Sequence, residues 1–199
     1  KSHGQFIIEV QYLKDIIKDL LFDNIYHEHF NYWSVTSLRN FFDSLHAKIL
    51  DVEHINTHGG SIRVYIGLTG EVSENVDKFL REEKEFGMLN FKTYEEFGKR
   101  VEAEKIRVNI KIKEFKSAGN IIAGYGAPAK ATTLLNYYNI TNKEIDYIVE
   151  DNKLKHNKYI PGVNIPIYSK DKLYETLPNK VIVFAWNFIN EIKHSNKDL

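Results

Sequence analysis

The sequence predicts an α/β fold made of an opening strand with an antiparallel hairpin, a helical spacer, and a C-terminal domain on a parallel sheet. Three observations predict it. Strand-like runs at 48–55 and 62–67 are joined by Thr57-His58-Gly59-Gly60-Ser61, where two glycines supply positive φ for a hairpin. Two charged stretches at 74–85 and 94–118 carry helical periodicity. The final third then reads strand, glycine turn, helix, strand, loop, helix, strand, an order that implies a parallel sheet covered by helices.

Each element follows from its residues. The run 6–10 is apolar and β-branched, and 12–21 places apolar residues at 13, 16, 17, 20 and 21, the spacing of one helix face. Residues 22–34 are dense in aromatic and polar groups with no sustained period, which reads as a loop that carries function. Ser34 or Thr36 can cap a helix to about His46 whose apolar positions are Leu38, Phe41, Phe42 and Leu45. The helix at 94–118 has Thr93 as its expected N-cap and Phe97, Val101, Val108, Ile112 and Phe115 on one stripe, and the lysines and glutamates of both charged helices, 74–85 and 94–118, are expected to form a solvated face. Strands are expected at 120–124, 145–150 and 181–185, and helices at 131–138 and 170–177.

Composition narrows the function. The 199 residues contain 27 Lys plus Arg against 27 Asp plus Glu, 43% apolar residues and no cysteine. A neutral chain has no excess of cations to neutralise phosphates, so neither nucleic acid nor a membrane surface is expected as a partner. Without cysteine there is no disulfide, no thiolate zinc site and no thiol nucleophile. No apolar run approaches the roughly 20 residues of a membrane span, so a cytoplasmic protein is expected. The start at Lys1 without Met reads as an excised piece, and His3 is given no functional weight.

Four groups of residues bear chemistry. Gly124-Tyr125-Gly126-Ala127-Pro128-Ala129 fits the GxGxxG/A pattern between a strand and a helix, where helical N–H groups and Lys130 suit phosphate oxygens. Glu150-Asp151 stands about where a dinucleotide fold puts its ribose acceptor. Yet any α/β domain needs such a turn, and about 80 residues make only half of a six-stranded dinucleotide fold, so a mononucleotide or sugar nucleotide fits better. The second group is Tyr26-His27-Glu28-His29: histidine titrates near neutrality and can remove a proton, a carboxylate can orient it, and Tyr26 can hydrogen-bond an oxyanion. Phe30, Tyr32 and Trp33 beside it supply pocket walls. As a zinc site this cluster is poor, although His54 or His58 could complete one. Third, Ser61, Arg63 and Tyr65 share a strand face, so Arg63 is either a phosphate ligand or a surface strand residue. Lys153, Lys155, His156 and Lys158 read as a solvated run.

In combination, the segments Phe6-Ile7-Ile8-Glu9-Val10 with Tyr12-Leu13, Tyr26-His27-Glu28-His29-Phe30, Gly59-Gly60-Ser61-Ile62-Arg63-Val64-Tyr65, Gly124 to Lys130 with Leu134-Leu135-Asn136-Tyr137, and Tyr159-Ile160-Pro161-Gly162 are distinctive. The chain resembles the C-terminal half of the S-adenosylmethionine-dependent sugar C-methyltransferases, which act on nucleotide-linked keto-deoxysugars.

The resemblance implies that the opening strand and hairpin are the last strands of a class I methyltransferase sheet (1–68), followed by a helical connector (69–118) and a Rossmann-like domain (119–199). It implies removal of a proton beside a ketone to give an enolate that attacks a sulfonium methyl, with His29 as base and Tyr26 and Glu28 positioning it or the enolate oxygen. Gly124, Tyr125, Gly126, Ala127, Lys130 and Asn136, with Ser61 and Arg63, would face the nucleotide-diphosphate ketosugar. The implied partners are the methyltransferase and zinc-binding regions of the same protein. S-Adenosylmethionine is expected in the full-length protein and not on this piece, which is expected to be inactive alone. No metal ligands are expected in it. The competing readings are an NAD-dependent oxidoreductase using Glu150 or Asp151 for ribose, and a non-catalytic nucleotide-sugar-binding module.

Overall fold

The computed structural model describes residues 4–57 and 59–197, so His3 and His58 lie outside the described residues. It divides into two compact units, Lys1–Phe22 with Glu28–Val101, and Asp23–His27 with Glu102–Leu199.

The first unit is built on a three-stranded antiparallel sheet. Strand β1 (Gln5–Gln11) pairs with β3 (Ser61–Gly67), which pairs on its other side with β2 (Lys48–Ile55), so β3 is central. Alternation decides the faces: Val10, Ile62 and Val52 with Val64 and Ile66 face a core shared with Leu38 and Phe42, while Glu9, Arg63 and Glu53 sit in register on the other side. A register shift between Ile49 and Asp51 sets Leu50 out of line, where its side chain packs against the space beside Gly67 and Gly70.

Three helices complete this unit, α1 (Leu13–Lys18), α2 (Val35–Ser44) and α3 (Glu74–Phe86). The first is shorter than its 12–21 periodicity predicts, because Asp19 closes the last turn and Leu20 takes a left-handed φ of 60°. Ser34 caps α2 in a reciprocal box with Ser37, their hydroxyls and N–H groups bonding at 2.9 and 3.0 Å. Gly87 ends α3 with φ 84°.

Helix α4 (Phe91–Ser117) contributes its residues to Val101 to the first unit and those from Glu102 to the second. It starts earlier than its apolar stripe predicts, since Asn90 Oδ1 accepts from the Lys92 N–H at 3.0 Å. Thr93, the expected cap, instead lies in the first turn and donates its hydroxyl to the Gly87 carbonyl at 2.9 Å.

The second unit holds a four-stranded parallel sheet in the order β6 (Ile167–Tyr168), β5 (Tyr147–Val149), β4 (Ile122–Tyr125), β7 (Lys180–Val183). Every residue of β4 and β5 is buried, as expected of parallel strands covered on both faces. Helices α5 (Ala129–Tyr138) and α6 (Asp171–Thr176) follow the expected alternation, and a further helix, α7 (Ile189–Ser195), follows β7 where none is expected from the sequence. The sequence showed no sign of β6, which is two residues long and follows Pro166 in a loop without periodicity.

Candidate functional site

The glycine turn after β4 is shaped first by packing. A Cβ on Gly124 would lie 2.6 Å from Ile148 Cγ1 and 2.7 Å from Phe184 Cε2, so only hydrogen fits between these side chains. Gly126 has φ 84°, and a Cβ there would meet that of Ala185 at 2.7 Å.

Glu150 then ties the turn down. Its carboxylate accepts from the Ala127 N–H at 2.7 Å and the Asn152 N–H at 3.0 Å, and the Lys155 ammonium lies 3.6 Å away. Lys155 also donates to the Ala127 carbonyl at 2.9 Å, and His156 Nε2 meets the Glu150 carbonyl oxygen at 2.7 Å. Burial opposes the charge on Glu150, but the N–H donors of Asn152 and Ala127, with Lys155, outweigh it and hold the group below the usual carboxylate range. Glu150, one of the two residues offered as ribose acceptor in the dinucleotide reading, is thus committed to the loop itself, and Lys155 and His156, expected in a solvated run, belong to the same network.

Chain order gives this turn its significance. From β4 the chain builds outward to β5 and β6 and then returns to β7 on the other side of β4, so the loops after β4 and β7 part company between those two strands. In open α/β sheets ligands bind at this switch point, outside the carboxyl ends of the strands. A cleft of about 590 Å³ is found here, lined among others by Tyr125, Gly126, Asp151, Lys155, Lys170 and Phe188. The Tyr125 hydroxyl donates to Asp151 at 3.3 Å, and burial raises its pKa.

Lys130 extends from the first turn of α5. Its ammonium stands 3.9 Å from the centroid of the Trp186 ring and donates to Asn187 Oδ1 at 3.1 Å. Burial lowers its pKa, against the opposing charge of Asp23. Asn136 serves a different loop, donating to the carbonyls of Thr132 and Pro161 at 2.8 and 2.9 Å while its Oδ1 fills the space above Gly162.

In the first unit, Arg63 pairs with Glu9 at 2.9 Å and Glu53 at 3.7 Å, and Ser61 donates to the Thr57 carbonyl at 3.2 Å. These are the interactions of strand neighbours. His54 Nε2 meets Asp15 Oδ2 at 2.7 Å, in a region that also holds Tyr12. Among the described residues no group of three or more His, Cys, Asp or Glu is placed to hold a metal ion.

Of the loop expected at 22–34, Phe22–Asn24 form a 3-10 turn, and residues 25–34 contain no helix and no strand beyond an isolated bridge at Trp33. Tyr26 and His27, which count with the second unit, meet edge to face at 6.1 Å, and the Tyr26 N–H donates to the Asn24 carbonyl at 3.2 Å. Glu28 and His29 count with the first unit, Glu28 exposed and His29 half-buried. Sequence reasoning missed Asp23, Lys170, Trp186 and the α7 residues of the cleft. Asp23 alone had a signal, as the acidic residue just upstream of the histidine cluster.

Comparison with known proteins decides the family. A model described as the C-methyltransferase C-terminal domain matches residues 56–199. The chain belongs to this family. It is also 35% identical over 198 residues to the C-methyltransferase NovU of Streptomyces niveus, a match that covers 98% of this chain and 47% of that protein. The chain therefore spans about half the length of the curated relative it matches. Family membership displaces the oxidoreductase reading, in agreement with the engagement of Glu150 by the loop. Among the described residues no helix is long and apolar enough to cross a membrane.

Proposed function

We propose that this chain is the C-terminal part of an S-adenosylmethionine-dependent C-methyltransferase that acts on a nucleotide-linked ketosugar through an enolate. The observation that carries the reading is the likeness to a C-methyltransferase along 98% of the chain. Making a carbon–carbon bond to a methyl group needs a carbon nucleophile, and a carbon beside a ketone becomes one when its proton is removed.

In this reading His29 takes that proton, Glu28 orients the imidazole, and Tyr26 donates to the developing enolate oxygen. The nucleotide sugar is bound by the Gly124 to Lys130 turn and the cleft at the carboxyl ends of β4 and β7. Tyr125, Asp151 and Lys170 supply polar contacts there, and the positive end of the α5 dipole, just after Pro128, suits phosphate oxygens.

The methyl donor belongs to the full-length protein, which in this reading adds methyltransferase and zinc-binding regions. No step through the donor is assigned to this chain.

Proton abstraction tests the reading without a donor. The chain is incubated in deuterium oxide with a thymidine-diphosphate 4-ketosugar, and loss of the proton signals beside the ketone is followed by NMR. Incorporation that falls at least about 100-fold in His29→Ala supports the assignment, in line with the usual contribution of a general base. No incorporation above the buffer rate, with the nucleotide sugar bound, would leave a binding module.

A further inference from the structure

A buried carboxylate outside the expected catalytic set lies in the second unit. Asp23 belongs to a single 3-10 turn, Phe22–Asn24, and is only 6% exposed. Its Oδ2 accepts from the indole N–H of Trp186 at 2.9 Å, across 163 residues of sequence. Trp186 opens a second 3-10 turn, Trp186–Phe188, separated from the end of β7 by Phe184 and Ala185.

The indole is held on two sides. Its N–H edge meets Asp23, and its face meets the ammonium of Lys130, which is also fixed by Asn187 in the same turn as Trp186. Burying a carboxylate is costly unless it is bonded, and Asp23 has a donor in the indole and a cation nearby in Lys130. Tyr138 lies within its field too, its phenol pushed up to about 12 by burial, Glu104 and Asp23.

What this arrangement fixes is the start of the aromatic loop. Asn24 follows Asp23 directly, and its carbonyl accepts from the Tyr26 N–H at 3.2 Å. A chain of one side-chain bond, one covalent step and one backbone bond therefore runs from Trp186 to Tyr26, leading out of the 3-10 turn into residues that form no helix or strand.

We propose that Asp23 and Trp186 are positioning residues: their bond, backed by Lys130 over the indole face, holds the backbone of Tyr26 for its work on the enolate oxygen. The mechanistic half of this rests on the role given to Tyr26 above. The structural half stands on the geometry alone.

Amide hydrogen exchange of residues 24–27 is measured in the chain and in Trp186→Phe, which keeps a ring and removes the donor, and in Asp23→Ala and Asp23→Asn. Exchange of this segment is expected to quicken about tenfold in Trp186→Phe and Asp23→Ala, the effect of losing roughly one hydrogen bond, and less in Asp23→Asn, which retains an acceptor. The amides of β4 and β7 keep their rates. If Asp23→Ala fails to fold, Trp186→Phe and Asp23→Asn still decide. Unchanged exchange at 24–27, or equal quickening throughout the second unit, overturns the assignment. In a Trp33→Phe background Trp186 is the sole indole, and its emission is expected to shift in Asp23→Ala; a spectrum indifferent to Asp23 counts against the bond. Deuterium incorporation into the ketosugar is expected to fall about tenfold in kcat with KM kept, and a fall in KM-dependent binding alone would overturn the positioning role. If the unaltered chain shows no incorporation, the reading of Tyr26 fails while the exchange data still judge the Asp23–Trp186 bond.

Discussion

Tyr12 donates its hydroxyl to Glu83 Oε1 at 3.0 Å across 71 residues of sequence, inside the first unit. The same carboxylate accepts from the N–H groups of Val35 and Thr36, at 2.6 and 2.9 Å, and from the Thr36 hydroxyl. Glu83 thus adds a negative charge to the start of α2, where orphan N–H groups and the helix dipole favour it. Burial, then the charge of Glu83, drives the Tyr12 pKa far above its ordinary value, so the phenol stays a donor.

Glu83→Ala is expected to cost roughly 3–5 kcal/mol, because a nearly inaccessible cluster of donors loses its acceptor. Tyr12→Phe should cost about 1–2 kcal/mol, since it removes one donor and leaves the carboxylate its others. Urea unfolding of both and of the double variant would show coupling. Additive effects would mean that the bond adds little.

The packing at the glycine turn makes a sterically specific prediction. Gly124→Ala is expected to destabilise the second unit by about 1–3 kcal/mol through overpacking against Ile148 and Phe184. Adding Phe184→Leu should recover part of the loss, and thermal unfolding of the pair measures it. Gly126→Ala should cost more and resist this rescue, since its φ of 84° is itself unfavourable for alanine.

Glu150 gives a pH prediction. Its folded pKa lies below the ordinary 4.5, so it contributes stability above that value and loses it as pH falls through the lower, folded pKa. Acidification below about pH 4.5 should therefore loosen the glycine turn. In Glu150→Gln this part of the acid dependence should vanish, and the turn amides should exchange faster at pH 7. An acid unfolding curve with the same pH dependence in both proteins would contradict the assignment.

Arg63 separates two uses of one strand. Its carboxylate partners are half-exposed and the pair is screened by solvent, so Arg63→Ala should leave the stability of the sheet nearly unchanged. If Arg63 also serves the sugar nucleotide, calorimetric affinity should fall in Arg63→Ala by tenfold or so, the effect of one charged hydrogen bond. Equal affinity would assign the residue to the sheet alone.

Strand β1 is an edge, and Phe6 and Ile7 on it are 60% and 51% exposed. Unpaired strand edges with apolar side chains invite pairing, so the chain is expected to self-associate at high concentration. Ile7→Lys should reduce this, as sedimentation velocity would show. A monomer at all concentrations would remove the expectation.

Much of this architecture was legible because it rests on local rules. The hairpin glycines, the Ser34 cap and the strand–glycine–helix order each follow from short-range geometry, and the structure places them where the pattern predicts. Glu83 shows the limit: it was read with the solvated face, although it stands seven residues after Val76 and so on the helix's core side. Periodicity ranks residues by polarity, and a buried carboxylate defeats that ranking. Similarly, Gly124 and Gly126 were legible as a turn, but whether packing or a ligand required them depended on Phe184 and Ala185, sixty residues away. Trp186 and β6 left no local trace, because their meaning lies in partners distant along the chain.

The first sheet also has a built-in order of assembly. Strands β2 and β3 are joined by a short glycine hairpin, whereas β1 reaches β3 only after some fifty residues of intervening chain. Closing that longer loop carries the larger entropic cost, so the hairpin should form early and β1 dock late. By the same reasoning β1 is first to leave on warming, which would bare Ile62, Val64 and Ile66 while the hairpin persists. The durability of this unit in storage or in a cell would then be governed by how often its first strand peels away, more than by the global melting of its core.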